Sequence, residues 1–359
     1  MPLGIDLVFK WGNQNKKEKK PPEKKLPKKP SSSSSSESCP TCKSTRSSKA
    51  KHSSCKSAAS KAKSKKVEKV KKLDVQGTQS DTCSDSTKKA YSKRLLIFVR
   101  HAERMDRTFP SWLRLANVNR KYRPYDKNQP PTLPKRNSPV DAFLNDPPLT
   151  LLGQSTAAKL GKSIDDVKIQ PAFIYCSPAL RCIETANHML KSLRTKIKIR
   201  IEPGLFDWLG FYMDKLPVFM STQELQDAGF EIDHNYKSIL SIEKLLRNRG
   251  ETSENFYNRI SNVTSRINSS SSSGTVLIVS HAITIDAGVR SLLKLSTSIA
   301  SFHILDTLSY RYPYASTFIL QEDDDGKTFK EGKALPDQES EDFGQTISAP
   351  CMKSETDCI

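Results

Sequence analysis

Arginine and histidine side chains follow one strongly apolar stretch of the sequence at a spacing suited to phosphate chemistry. The run Leu95–Val99 ends in Arg100 and His101, and Arg104 follows three residues after the histidine. Two guanidinium groups flanking one imidazole suit a dianionic phosphate, because the guanidinium fork matches its oxygens and the imidazole can attack phosphorus. Alone, the motif also fits a hydrogen-bonded structural histidine, so the interpretation depends on partners elsewhere in the chain.

A second histidine also comes at the end of an apolar run. His281 directly follows the apolar run Thr275–Ser280. Runs of this kind are typical of strands buried on both faces of a parallel sheet, and functional groups gather past the carboxyl ends of such strands. We therefore predict that His101 and His281 meet at one edge of a sheet.

Arg181 is the next candidate for a phosphate ligand. We expect Ser177-Pro178 to open a helix over 179–193 as its N-cap and first helical residue, which places Arg181 in the first turn. A cation there opposes the helix dipole, and it makes better sense with an anion in front of the helix. An ordinary surface arginine is the alternative.

Glu202 is the candidate acid. It ends a strand predicted over 197–201 and precedes a cluster of four aromatic residues, Phe206, Trp208, Phe211 and Tyr212. A carboxyl group beside apolar rings tends to have a raised pKa, as a general acid needs. The alternative is a surface acid before a Pro-Gly turn, with the aromatic residues in the core.

Strands and helices alternate along the middle of the chain. Strands are also predicted over 172–176 and 316–320, and helices over 109–115, 151–164, 222–228, 252–267 and 283–293, with Thr150 as a cap. We predict an α/β fold: a three-layer α/β/α sandwich with a mostly parallel sheet. The Pro-rich stretch 117–148 is long for a loop and could form a wall or lid beside the site.

The ends of the chain differ from its middle in composition. Residues 1–94 carry 25 Lys and Arg against 8 Asp and Glu, so they hold +17 of the chain's net charge of +19. We predict a disordered basic tail over 1–92, one domain over 93–322 and a disordered tail over 323–359. The basic tail is either a solvated chain or an attachment to acidic lipid, acidic protein or nucleic acid.

Targeting and metal signals are weak. The first residues match a signal peptide poorly, and no stretch is apolar over the length that spans a bilayer. We therefore expect a cytoplasmic protein, with a nuclear location left open. Cys39 and Cys42 form a CxxC pair without a matching second pair, which favours reduced thiols over a zinc site.

Five segments in order resemble the histidine phosphatase (phosphoglycerate mutase-like) superfamily. They are RHAERMD, NDPPLT, SPALRCIETA, KIRIEPGLFDW and VLIVSHAITIDA, and they span roughly 94–320. Within the superfamily, the resemblance is to the phosphatase domain of the suppressor-of-T-cell-receptor-signalling (ubiquitin-associated and SH3 domain-containing) proteins and to the insect ecdysteroid-phosphate phosphatases.

The resemblance implies a role for each candidate residue. His101 is the nucleophile, while Arg100, Arg104, Arg181 and His281 hold the phosphoryl oxygens. Glu202 protonates the leaving oxygen and then activates water. No metal or cofactor is required, since cationic side chains take that role. Ala102 and Ala282 stand where the superfamily commonly has glycine, and a positive φ at either would cost about 1 kcal/mol.

We therefore expect a phosphomonoester hydrolase, with protein phosphotyrosine as the favoured substrate and steroid or other aryl phosphates behind it. The main alternative is a phosphate-binding pseudophosphatase that serves as an adaptor tethered by its basic tail. A phosphomutase and a nucleic-acid-binding protein are weaker alternatives. Whether the domain forms a homodimer, as in the signalling branch, is left open.

Overall fold

A six-stranded sheet forms the centre of the fold. The structure, a computed structural model, describes residues 93–118, 121–296 and 302–336. The strands of the main sheet are β1 (Leu95–Arg100), β4 (Pro171–Cys176), β5 (Ile199–Ile201), β6 (Thr275–Ser280), β7 (Thr317–Glu322) and β8 (Phe329–Glu331). A small antiparallel pair, β2 (Asn117–Val118) and β3 (Lys121–Tyr122), stands apart from it. The order in the main sheet is β5-β4-β6-β1-β7-β8.

The parallel part of this sheet brings the two histidines together. β5, β4, β6 and β1 run parallel, whereas β7 and β8 are antiparallel additions at one side. The register of β1 and β6 places Arg100 opposite Ser280, so His101 and His281 both follow directly at the same edge. Every residue of β1 and β6 is buried, as the apolar runs predict.

Helices cover both faces of the sheet. They are α1 (Met105–Thr108), α2 (Trp112–Ala116), α3 (Leu151–Asp166), α4 (Leu180–Leu193), α5 (Thr222–Asp227), α6 (Ile242–Arg247), α7 (Ser253–Ser270), α8 (Ala282–Leu292) and α9 (Phe302–Arg311). One core joins α3 and α4 to Ile97 and Val99, and a second joins α7, α8 and α9 to Leu96 and Phe98. Because alternate residues of β1 enter different cores, the three-layer prediction is confirmed.

Two helix starts test the capping predictions. Thr150 caps α3 as predicted, since its side chain accepts a hydrogen bond from the N–H of Gly153 at 3.0 Å. The prediction of Ser177 as the cap of α4 is wrong: the helix begins at Leu180, whose N–H donates to Oδ1 of Asp146 at 2.7 Å. The cap of α4 therefore comes from the long loop and not from the residues just before the helix.

The predicted domain end falls too early. β8 lies after residue 322 and pairs with β7, and Leu335 is buried. The segment from 323 to 336 is therefore not a separate tail. The predicted tail over 1–92, with its CxxC pair, and the residues from 337 onwards lie outside the described residues. None of the helices that the structure describes has the length and apolar character needed to cross a membrane.

Candidate active site

His101 and His281 meet at the carboxyl edge of the sheet, as predicted. Their ring centroids are 5.4 Å apart, with the ring planes at 66°. The N–H of His101 donates to the carbonyl of Ser280 at 3.0 Å, which ties the two strand ends together. Both side chains are buried, so their chemistry is set by neighbouring groups more than by water.

Neighbouring groups fix the tautomer of His101. Its Nδ1 lies 2.9 Å from the carbonyl oxygen of Ala102. A carbonyl only accepts, so Nδ1 carries the proton and Nε2 keeps its lone pair. Burial holds the pKa of His101 well below its ordinary value, and the charges of Arg181, Arg100 and Arg104 lower it further. The imidazole is therefore neutral, with a nucleophilic nitrogen free.

His281 has the opposite tautomer. Nη2 of Arg181 lies 3.1 Å from its Nδ1, and a guanidinium only donates, so Nδ1 accepts. Nε2 therefore carries the proton and donates to Oγ of Ser177 at 2.8 Å. Burial, followed by the charge of Arg181, lowers the pKa of His281 well below its ordinary value. Ser177 belongs to the site, which sequence reasoning missed because it assigned this side chain to a helix cap.

Arg181 is fully buried beside the two histidines. Besides His281, its Nη2 contacts the hydroxyl oxygen of Tyr212 at 3.0 Å. Burial alone lowers the pKa of Arg181, but Tyr212, Cys182 and Asp207 outweigh this effect and raise it. The alternative of a surface arginine is excluded.

Arg100 and Arg104 complete a cluster of three arginines. Nη1 of Arg100 donates to the carbonyls of Ser309, at 2.6 Å, and Tyr312, and the guanidinium stands 4.4 Å above the ring of Tyr314. Burial lowers the pKa of Arg100 to about 10, so it stays charged at neutral pH. Arg104 forms a two-pronged ion pair with Asp106, with Nε–Oδ1 and Nη2–Oδ2 distances of 2.6 and 2.7 Å.

Several guanidinium N–H groups in this cluster lack a partner. Within the described part of the chain, Nε of Arg100 and both Nε and Nη1 of Arg181 are buried without a hydrogen-bond acceptor. An unpaired buried donor costs about 1–3 kcal/mol, and more when the group is charged. Such a set of donors beside a neutral histidine suits a bound oxyanion.

Glu202 does not belong to this cluster, and its prediction as the acid is corrected. Its Oε1 accepts from the N–H groups of Gly204 and Leu240, at 2.9 and 3.1 Å. Its Oε2 accepts from the hydroxyl of Tyr236 and the N–H of Ile239, at 2.8 and 2.6 Å. With four donors in place, this buried carboxylate fastens a loop to the end of β5.

Asp207 is the carboxyl group that does face the histidines. Its Oδ2 lies 3.5 Å from Nδ1 of His281 and 3.6 Å from Nη2 of Arg181. Burial raises the pKa of Asp207, although Arg181, Arg104 and Arg100 oppose that rise. The sequence did carry a signal for it, since Asp207 lies inside the aromatic cluster that pointed to Glu202.

Comparison with known proteins shows which family the chain belongs to. Residues 142–331, more than half of the chain, match the model of the histidine phosphatase superfamily (branch 1). The chain belongs to the histidine phosphatase superfamily. The matched range begins after His101 and Arg104. The structure places His101 beside His281, and the charge of Arg104 acts on both histidines.

Named relatives of the chain include an ecdysteroid-phosphate phosphatase and a ubiquitin-associated and SH3 domain-containing protein. The chain is 32% identical over 250 residues to the ecdysteroid-phosphate phosphatase of Drosophila melanogaster, covering 68% of this chain and 32% of the relative. It is 34% identical over 228 residues to human ubiquitin-associated and SH3 domain-containing protein A, covering 61% of this chain and 34% of that protein. The chain thus spans about a third of the length of these relatives.

A solved structure of a superfamily member supports the same fold. The ecdysone phosphate phosphatase of Bombyx mori, in complex with tungstate, is 28% identical with a TM-score of 0.59. The similarity covers 71% of this chain and 95% of that one.

The two alanines that replace superfamily glycines cause no backbone strain. Among the described residues, positive φ angles occur at three glycines and at Lys168, Arg194, Lys294 and Ala315, and neither Ala102 nor Ala282 is among them. Both alanines are buried, and Ala282 starts α8. The penalty considered from the sequence therefore does not arise here.

Most of the aromatic cluster is buried and forms the inner wall of the histidine phosphatase site. Phe206 packs edge-on against His281, with 5.4 Å between ring centroids. Nε1 of Trp208 donates to the carbonyl of Glu251 at 2.7 Å, and Tyr212 contacts Arg181. Only Phe211 in this cluster is more than a third exposed. No group of three or more His, Cys, Asp or Glu side chains in the described ranges is arranged to hold a metal ion.

Proposed function

We propose that the chain is a phosphomonoester hydrolase that works through a phosphohistidine at His101. The observation that carries this proposal is the set of buried, unpaired guanidinium N–H groups of Arg100 and Arg181, which lie beside a neutral imidazole whose Nε2 lone pair is free. A phosphoryl group supplies the oxygens that these donors lack, and it places phosphorus in front of that nitrogen.

In the first step, the lone pair on Nε2 of His101 attacks phosphorus and forms the P–N bond. The bond from phosphorus to the leaving oxygen breaks, and its electron pair goes to that oxygen. The carboxyl group of Asp207 gives the oxygen its proton, so an alcohol or phenol departs. The raised pKa of Asp207 favours the protonated form that this step needs.

In the second step, a water molecule attacks phosphorus and gives its proton to the carboxylate of Asp207. The P–N bond breaks and its electron pair returns to Nε2 of His101, so inorganic phosphate leaves and the site is restored. The three arginines stabilise the charge on the phosphoryl oxygens in both steps. The hydrogen bond between Arg181 and His281 keeps these two groups at one end of the phosphate site.

The favoured substrates are aryl phosphates, with protein phosphotyrosine first and steroid phosphates behind it. Support comes from the partly exposed ring of Tyr314, whose centroid lies 5.6 Å from that of His101. An aromatic leaving group can pack against such a ring. The relative from Drosophila melanogaster is named for an ecdysteroid phosphate, which is why a steroid body stays in the proposal.

The test compares the wild type with His101→Ala and with His234→Ala, a control at an exposed histidine outside the site. With 4-nitrophenyl phosphate and a phosphotyrosine peptide, we expect His101→Ala to lose about a thousandfold or more in kcat/KM and to keep its circular dichroism spectrum. His234→Ala should match the wild type. Tungstate, which is bound in the Bombyx mori structure, should inhibit competitively.

Equal rates for the wild type and His101→Ala would refute the proposal. A wild type that binds the phosphotyrosine peptide without turnover would instead support the adaptor alternative.

A further inference from the structure

The short segment that carries Asp207 is held from outside the site by one arginine. Arg259 projects from α7, and its Nη1 donates to the carbonyls of Gly204 and Phe206, at 2.8 and 2.9 Å. Its Nη2 donates to the carbonyl of Asp207 itself at 3.2 Å. One guanidinium therefore fixes three carbonyl groups of the four-residue segment 204–207.

A buried carboxylate orients this guanidinium. Glu251 accepts from Nε and Nη2 of Arg259 at 2.7 and 2.8 Å, a two-pronged pairing. The side chain of Glu251 is fully buried, and that of Arg259 is 9% exposed. Burial makes the pairing rigid, since either partner alone would be an unpaired charge in the interior.

Glu251 also contacts the chain just after Asp207. Its Oε2 accepts from the N–H of Leu209 at 3.2 Å, and its backbone carbonyl accepts from the indole N–H of Trp208 at 2.7 Å. The Arg259–Glu251 pair thus binds the backbone before Asp207, at it and after it. The carboxyl group of Asp207 itself points away, towards His281 and Arg181.

Close packing leaves the segment little room to move. A Cβ atom at Gly204 would lie 2.5 Å from a methyl group of Val263, which stands one turn after Arg259 on α7. A lysine at 259 would keep the charge, but it cannot match the planar guanidinium fork that serves three carbonyls and a carboxylate at once.

We propose that Arg259, oriented by Glu251, is a positioning residue that sets where the carboxyl group of Asp207 lies and so controls proton transfer to the leaving oxygen. This inference rests on the proposed function, in which Asp207 is the proton donor. A displacement of about 1 Å in such a group can lower a rate a hundredfold.

The test uses leaving groups of different basicity in the full chain. Phenolate is strongly basic and needs a proton as it departs, whereas 4-nitrophenolate is stable without one. For Arg259→Lys we expect kcat/KM to fall about tenfold to hundredfold on phenyl phosphate and less than about threefold on 4-nitrophenyl phosphate. Glu251→Gln should show the same dependence on the leaving group, and it serves as the second variant if Arg259→Lys does not fold.

Arg94→Lys is the matched control. Nη2 of Arg94 donates to the carbonyls of Asn268 and Ser271 at 3.1 and 2.6 Å, and its Nη1 lies 3.3 Å from Glu322, but this residue precedes β1 at the opposite end from the histidines. We expect its rates on both substrates to stay within about twofold of the wild type. A role of Arg259 in stability alone would lower both rates equally, and that result overturns the proposal.

Asp207→Asn distinguishes the positioning role of Arg259 from the role of Asp207 as proton donor. If it shows the strong dependence on the leaving group while Arg259→Lys and Glu251→Gln do not, the positioning role is wrong and the proposed function stands. If Asp207→Asn lowers both rates equally, Asp207 is not the proton donor and the positioning role fails with it.

Discussion

Oγ of Ser177 and Nε2 of His281 lie 2.8 Å apart, in a contact that joins the ends of two neighbouring strands. Ser177 directly follows β4, and its N–H donates to the carbonyl of Val279 in β6 at 3.0 Å. Because Arg181 donates to Nδ1 of His281, the serine hydroxyl is the acceptor for the remaining ring proton. This serine thereby fixes how the imidazole is presented to the phosphate site.

Replacement of Ser177 should lower activity modestly. In Ser177→Ala, the buried Nε2–H of His281 keeps only a weak acceptor, Sγ of Cys182 at 3.7 Å. The lost hydrogen bond is worth about 1 kcal/mol, so we expect kcat/KM on an aryl phosphate to fall about fivefold to tenfold. The matched control is Ser261→Ala, which removes a serine–serine contact of 2.7 Å between α7 and α8. If both variants have the same activity, Ser177 does not orient His281.

Asp207→Asn should impair the chemistry. Without an acid, the leaving oxygen departs unprotonated, so we expect kcat/KM on phenyl phosphate to fall about 10²-fold or more. We expect the free energy of unfolding to change little, because the side chain of Asp207 is partly exposed. Steady-state kinetics and urea unfolding on the same preparation check both expectations.

Glu202→Gln should lower stability and leave activity nearly unchanged. Its carboxylate accepts from four donors, and a glutamine amide would turn an N–H group towards some of them, so we expect a loss of about 2–4 kcal/mol in the free energy of unfolding. Activity per folded molecule should stay within about threefold of the wild type. A stable Glu202→Gln protein without turnover would restore Glu202 as the acid and exclude Asp207.

The pH dependence of kcat/KM should reflect groups whose pKa values are shifted in opposite directions. Burial holds the pKa of His101 well below its ordinary value, so the nucleophile stays neutral in weak acid. Burial raises the pKa of Asp207, so the acid stays protonated further up the pH scale than a free aspartate. The rate on phenyl phosphate should fall as pH rises past the pKa of Asp207, whereas the rate on 4-nitrophenyl phosphate should fall less.

Stability should decrease between weakly acidic and weakly basic pH. Burial raises the pKa of Glu184 from 4.5 to about 8 and that of Asp146 from 3.8 to about 6. Between the unfolded and folded values the native state holds protons that the unfolded chain has lost. The stability is therefore fully present below the unfolded values and is lost as pH rises through the folded ones.

Glu184→Gln isolates the larger of these shifts, because an uncharged amide mimics the protonated acid. We expect it to remove on the order of 3 kcal/mol of the difference in unfolding free energy between pH 5 and pH 8. Urea unfolding at the two pH values measures this difference, with the exposed Glu231→Gln as control. An unchanged pH dependence in Glu184→Gln would show that Glu184 is ionised in the native state.

Local pattern was enough to predict five of the six strands of the main sheet and the positions of the two histidines. Apolar runs that end in histidine mark buried strands, and parallel pairing then brings their ends together, as for His101 and His281. Arg181 could also be found, because its place at a helix start is unusual for a cation.

Partners that are distant in sequence could not be predicted in this way. The cap of α4 comes from Asp146 in a loop, and Ser177, which has the sequence of a cap, instead serves His281. Glu202 and Asp207 are only five residues apart in sequence. The folded backbone directs the carboxyl group of Glu202 to donors in a loop and that of Asp207 to His281, and no local sequence pattern shows this difference. β8 is short and polar, so its pairing with β7 left no apolar pattern to read.

The pairing of β1 with β6 also governs when the site can first exist. The two strands are neighbours in the sheet, yet most of the described chain lies between them in sequence. A nascent chain leaving the ribosome therefore carries His101 long before its partner strand has been synthesised. Because the two strands are far apart in sequence, bringing their ends together is slower than forming a local contact. Arg100 is also held by the carbonyls of Ser309 and Tyr312, which follow β6, so the complete site can form only after nearly all of the described chain has been synthesised.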